Sequence, residues 1–126
     1  MRQMVVGLML ANAALFLFGA VQHAGISIGL LSEPVILPAT IVETLCALCL
    51  ISGGAGVWMG SRRAWTMALA GNLVAIAGVI IGMVALAMGA GPRTASNDLH
   101  HRIMLALAGA ALLILLIPPG RLALRR

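Results

Sequence analysis

Residues 35–59 read VILPATIVETLCALCLISGGAGVWM, and Glu43 is the only charge in them. A helix crossing the hydrocarbon of a bilayer takes about 20 apolar residues, and this run is long enough. A carboxylate at that depth costs on the order of 3 kcal/mol on insertion scales, so it calls for a partner or a task. Three similar runs flank it. Residues 4–31 and 64–90 carry no charge, and residues 99–117 are polar only at His100, His101 and Arg102. Nothing alternates polar and apolar with the period of a strand. The expected fold is all-α: one transmembrane domain over residues 1–126, an up-down four-helix bundle with spans at 4–31, 35–59, 64–90 and 99–117.

Composition agrees. The 126 residues are 62% hydrophobic and 9% charged, with mean hydropathy +1.11. Soluble domains are about half apolar and roughly a quarter charged. Lipid is therefore the expected solvent and partner. No polar stretch exceeds a loop, which leaves no room for a soluble catalytic domain. The net charge of +5 comes entirely from arginine. Those arginines sit at the ends of the apolar runs, as topology signals do, so nucleic acid is not an expected partner. Arg2, Arg62, Arg63, Arg121, Arg125 and Arg126 flank one side, Arg93 and Arg102 the other. The imbalance puts both termini in the cytoplasm and makes the chain a multi-pass protein of the inner membrane. Trp58 and Trp65 bracket the Arg62–Arg63 loop like interfacial anchors. The first run is too long for a cleaved signal peptide, and Gln22-His23-Ala24 is a poor cleavage site.

Local chemistry marks the boundaries. Pro34 and Pro38 suit a helix start, where the missing N–H is not needed. Asn97 or Asp98 can cap the fourth helix. In the third run, Ala64, Ala68, Gly71, Ala75, Gly78, Gly82, Ala85 and Gly89 form a small-residue seam with a 3.5-residue period. Such seams let helices approach closely in lipid. Gly71, Ala75, Gly78 and Gly82 are its central packing positions, either inside the bundle or against a second copy. Asn12 and Asn72 lie at similar depth and are placed to share a hydrogen bond.

The outer half collects the remaining polar groups. At a helical rise of 1.5 Å per residue, Gln22 and His23 fall about 10 Å below the outer end of the first span. Glu43 lies at a similar or slightly shallower depth, and Asp98, His100, His101 and Arg102 begin the fourth helix. These seven residues are the candidate ligand or polar cluster of one outward-opening pocket. The inner half offers only Asn12 and Asn72, which argues against a complete proton or ion path. Several chemistries stay open. Imidazole and carboxylate are metal-ligand types, so His23, Glu43 and His101 are candidate metal ligands, although no tight ligand motif is present. Two histidines on different helices can also hold a haem. The alternatives are a lipid or quinone headgroup site, or a closed network pairing Glu43 with His23 or Arg102 and Asp98 with Arg93. Cys46 and Cys49 continue the Glu43 face in a C-x-x-C spacing. Buried in apolar surroundings, they read as small packing residues, and their redox activity stays open.

Residues 91–102, Gly-Pro-Arg-Thr-Ala-Ser-Asn-Asp-Leu-His-His-Arg, together with Glu33-Pro34 and Pro38-Ala39-Thr40-Ile41-Val42-Glu43, resemble a group of small four-span bacterial membrane proteins of unknown function. The resemblance covers most of the chain and implies that the polar outer elements form one unit. It brings no activity, cofactor or functional residue. The leading functional expectation is a non-enzymatic binding, accessory or transport-related protein. Its alternatives are a metal-, haem- or quinone-dependent redox protein using His23, Glu43 and His101, and a structural subunit of a homodimer or larger membrane complex.

Overall fold

The computed structural model describes residues 1–28, 33–118 and 120. They form helices α1 (Arg2–His23), α2 (Leu37–Trp58), α3 (Ala64–Ala87) and α4 (Ala95–Leu116). All four are long and apolar enough to cross a membrane. The shortest have 22 residues, about 33 Å at 1.5 Å per residue, against a hydrocarbon core of about 30 Å.

The helices close a ring in chain order, α2 packing on α1 and α3, and α4 on α3 and α1. Stripes with a 3.5-residue period line the interior. On α1 the buried stripe is Val5, Met9, Asn12, Phe16, Gly19 and His23. On α4 it is Asn97, His101, Met104, Ala108, Ala111 and Leu115. Alternating steps of four and three keep one face inward, as in a left-handed bundle. Ala64, Ala68, Gly71 and Ala75 of the small-residue seam are buried within this one chain. A Cβ on Gly71 would meet the Cys49 carbonyl oxygen at 2.7 Å, and one on Gly53 the Met67 carbonyl oxygen at 2.9 Å. Glycine at both positions brings the α2 and α3 backbones together.

Contacts at the ends fix how neighbours lie. Arg2 Nε donates to the Val57 carbonyl at 2.6 Å, setting the start of α1 against the end of α2. The Ile36 N–H donates to the His23 carbonyl at 3.0 Å, setting the end of α1 beside the start of α2. Trp65 Nε1 donates to the Leu115 carbonyl at 3.0 Å, joining the start of α3 to the end of α4. The bonds to His23 and Leu115 satisfy carbonyls that a helix end leaves without an intrahelical partner, and the Val57 carbonyl accepts from Arg2 beside the Gly60 N–H.

Three boundaries differ from the sequence reading. The first helix stops at His23, well before residue 31. Gly25, at φ +90, turns the chain, and the Ala24, Gly25 and Ile26 N–H groups bond back to carbonyls of the last turn. Gln22 and His23 therefore sit at the end of α1. Residues 29–31 of that span lie outside the described residues, as do Arg121, Arg125 and Arg126. The third helix stops at Ala87, and Gly89 (φ +82) turns the chain beyond it. The fourth begins at Ala95, capped by Thr94 and not by Asn97 or Asp98: the Thr94 hydroxyl oxygen accepts from the Asn97 N–H at 3.0 Å. Thr94 has the extended backbone of a cap residue, while Asn97 and Asp98 are already inside the first turn.

The distribution of polarity is inverted relative to a water-soluble protein. Asn12, Gln22, His23, Glu43, Asn72, Asn97 and His101 are buried, while Leu45, Leu48, Ile81 and Leu113 are more than half exposed. The two asparagines do not bond each other. Asn12 Nδ2 donates to the Met104 carbonyl at 3.2 Å and Asn72 Nδ2 to the Ala68 carbonyl at 2.9 Å. They stand on α1 and α3, which face across the ring and do not pack as neighbours.

Candidate functional site

Glu43 lies two turns into α2, on its inward stripe, and is 5% exposed. Space for its carboxylate comes from α1. A Cβ added to Gly19 would stand 2.7 Å from Glu43 Oε1. One turn further along α1, His23 presents Nε2 to the same oxygen at 3.8 Å. The other ring nitrogen, Nδ1, lies 3.4 Å from the Pro34 carbonyl. Glu43 Oε2 is buried and has no hydrogen-bond partner among the described residues. An unmatched buried carboxylate oxygen is costly, since its lost hydration is not replaced.

These groups sit on the wall of a cavity of about 180 Å³. The closed side is made by Phe16, His23, Glu43, Asn97, His101 and Met104, all buried. The open side runs between α2, at Ile36, Pro38 and Val42, and α3, at Ile81, Leu86 and Ala90. Glycine keeps the α3 wall low: a Cβ at Gly82 would come within 3.2 Å of His101 Nε2. The result is an apolar slot with a few convergent polar groups, the usual composition of a small-molecule site. Its volume slightly exceeds that of an apolar cavity of about 150 Å³ known to hold benzene, so it matches a ligand of about one ring.

The seven residues of the sequence-derived cluster separate. His23, Glu43 and His101 line the cavity. Gln22 is buried beside them at the end of α1 but does not line it. His100 turns toward α1, its ring centroid 5.9 Å from that of Phe18. Asp98 pairs with Arg93 at 2.9 Å on the surface, and Arg102 is exposed. Glu43 thus faces His23 and not Arg102. The reason is angular: successive α4 residues turn by 100°, so only one of residues 100–102 can share the inward stripe. No group of three His, Cys, Asp or Glu side chains is close enough to hold a metal ion among the described residues. His23, Glu43 and His101 line one slot without converging on a point.

Cys46 and Cys49 are free thiols. Cys46 is buried against α3, its Sγ donating to the Val74 carbonyl at 3.7 Å. Of the α3 packing positions, Gly71 and Ala75 are buried in the helix contact, while Gly78 and Gly82 line the cavity.

Sequence reading missed Asn97 and Gly19. Asn97 precedes His101 by four residues, so both share the stripe that faces the slot. Gly19 precedes His23 by four on α1 in the same way. The pocket end of the bundle is tied by a contact that no motif announces: the Thr94 hydroxyl lies 2.9 and 3.0 Å from the two Glu33 carboxylate oxygens and donates to that carboxylate. No protein-family model matches the chain, and no curated protein or solved structure matches it.

Proposed function

We propose that this chain is a four-span protein of the bacterial inner membrane, both termini cytoplasmic, that binds a small amphiphilic molecule in an outward-facing pocket built on Glu43. It acts as a binding, accessory or transport-related protein and not as an enzyme. The single observation that carries the reading is a buried carboxylate with an unmatched oxygen on the wall of an apolar slot of about 180 Å³. A charge kept in hydrocarbon marks a functional site by default.

The orientation rests on arginine. Arg2, Arg62 and Arg63 gather at one end of the bundle, while Arg93 and Arg102 belong to the pocket end. The excess belongs inside, which turns the pocket outward. The exposed leucine and isoleucine faces supply the lipid contact.

The test is a thermal-shift screen of one-ring amphiphiles on purified protein, beside Ala85→Leu, which fills the slot without touching Glu43. Stabilisation of wild type and not of the filled variant is expected. A full screen with no compound distinguishing the two proteins overturns the reading.

A further inference from the structure

Ligand class and entry route follow from the tautomer of His23. The Pro34 carbonyl can only accept a hydrogen bond, so the Nδ1 facing it carries the ring hydrogen. Nε2 then meets Glu43 Oε1 at 3.8 Å. A bare lone pair facing a carboxylate is repulsive, so one proton belongs to the pair, either on Nε2 or on the carboxyl. Both arrangements leave the pair with zero net charge.

Of the other groups, only His101 can titrate inside the slot; it makes no ion pair among the described residues and its buried Nδ1 has no partner, so it enters as a neutral ring. From α4 the slot receives His101 and the neutral Asn97, and from α3 only Gly78, Val79, Gly82 and aliphatic residues. On α2, Cys46 turns to the Val74 carbonyl. His100 turns to Phe18, Glu33 holds Thr94, Asp98 holds Arg93, and Arg102 lies outside.

We propose that the slot binds a small lipophilic amine as its ammonium ion, and that one proton leaves the His23–Glu43 pair when it does. The ammonium takes the carboxylate as its counter-ion and donates a second N–H to the bared Nε2 of His23, which becomes neutral and is no longer a lone pair set against the carboxylate. The released proton goes to water. One positive charge enters and one leaves, so the pocket stays neutral, which a buried low-dielectric site requires. The mouth between α2 and α3 is bordered by apolar Ile36, Leu86 and Ile81, the last 62% exposed. The ligand therefore enters sideways from the bilayer, and a lipophilic molecule is the class that reaches it.

This inference rests on the pocket reading, and one experiment separates the two. Purified protein is titrated calorimetrically with benzylamine and with benzyl alcohol, its neutral counterpart of equal size. Each titration is run between pH 6 and 7.5 in buffers of different ionisation enthalpy, a range in which the amine stays protonated, as lysine-type amines do. Benzylamine binding is expected to release about one proton per amine, with affinity rising about tenfold per pH unit while the pair holds its proton. Glu43→Gln should lose that proton release and pH slope and keep benzyl alcohol binding. If benzyl alcohol binds and benzylamine does not, or benzylamine binds without proton release, the exchange is wrong and the pocket stands. If neither binds wild type, the pocket reading falls as well.

Discussion

Glu43 concentrates the chemistry of this chain into one side chain. Its cost in hydrocarbon was legible from residues 35–59 alone, but its partner was not: the sequence left His23 and Arg102 both open, and the structure brings His23 to it. What the sequence could not give was which histidine of the His100–His101 pair turns inward, because that depends on the phase of α4 to within one residue. Two predictions belong here. Glu43→Gln keeps the shape and removes the buried charge; His23 Nε2 stands 3.8 Å from one oxygen, beyond hydrogen-bond distance, and the other oxygen has no partner, so no hydrogen bond is lost, the protein should fold and its melting temperature should fall by no more than a few degrees. Circular dichroism of the purified variant checks this. Gly19→Leu drives a side chain into the carboxylate that now stands 2.7 Å from the Cβ position. Overpacking of this kind costs about 1–3 kcal/mol, and ligand binding should be lost with it.

At the scale of the helices, small residues set the spacing. The α3 seam was readable from its period, but whether it served this chain or a second copy was not: a stripe of Ala and Gly describes a close approach without saying to what. Gly71 against the Cys49 carbonyl and Gly53 against Met67 assign it to the α2–α3 contact. Gly71→Leu should therefore destabilise the fold by about 1–3 kcal/mol. Gly109→Leu, where nothing lies within 4 Å of the added Cβ, should leave stability unchanged. Chemical denaturation in detergent compares them. The ends of the helices were harder to read. A run of uncharged residues from 4 to 31 looks like one long span, yet Gly25 at positive φ stops the helix at His23. Thr94 rather than Asn97 caps α4, and it also donates to the Glu33 carboxylate across the rim. Thr94→Val should cost about 1 kcal/mol through the lost cap, and the same denaturation measurement reads it.

Over the whole molecule, polarity is turned inside out. Among the described residues seven polar or charged side chains are buried while large aliphatic residues face outward, a pattern consistent with a helical bundle in lipid. That much followed from composition, because 9% charge cannot cover a soluble surface. The orientation proposed from the arginines predicts a labelling pattern. In a background with Cys46 and Cys49 replaced by alanine, Ser96→Cys should react with a membrane-impermeant maleimide in intact cells, and Ser61→Cys only after permeabilisation. The reverse pattern would turn the pocket toward the cytoplasm. The slot around Glu43, as proposed, is a ligand site and not a network closed on itself. The chain contains only two glutamates, Glu33 and Glu43, so carbon-13 labelling of glutamate carboxyls gives two resonances, assigned by Glu33→Gln and Glu43→Gln. Benzylamine should shift the Glu43 resonance saturably and leave that of Glu33 in place. A Glu43 resonance unmoved by saturating benzylamine and benzyl alcohol alike would mean that the slot is a closed network and not a ligand site.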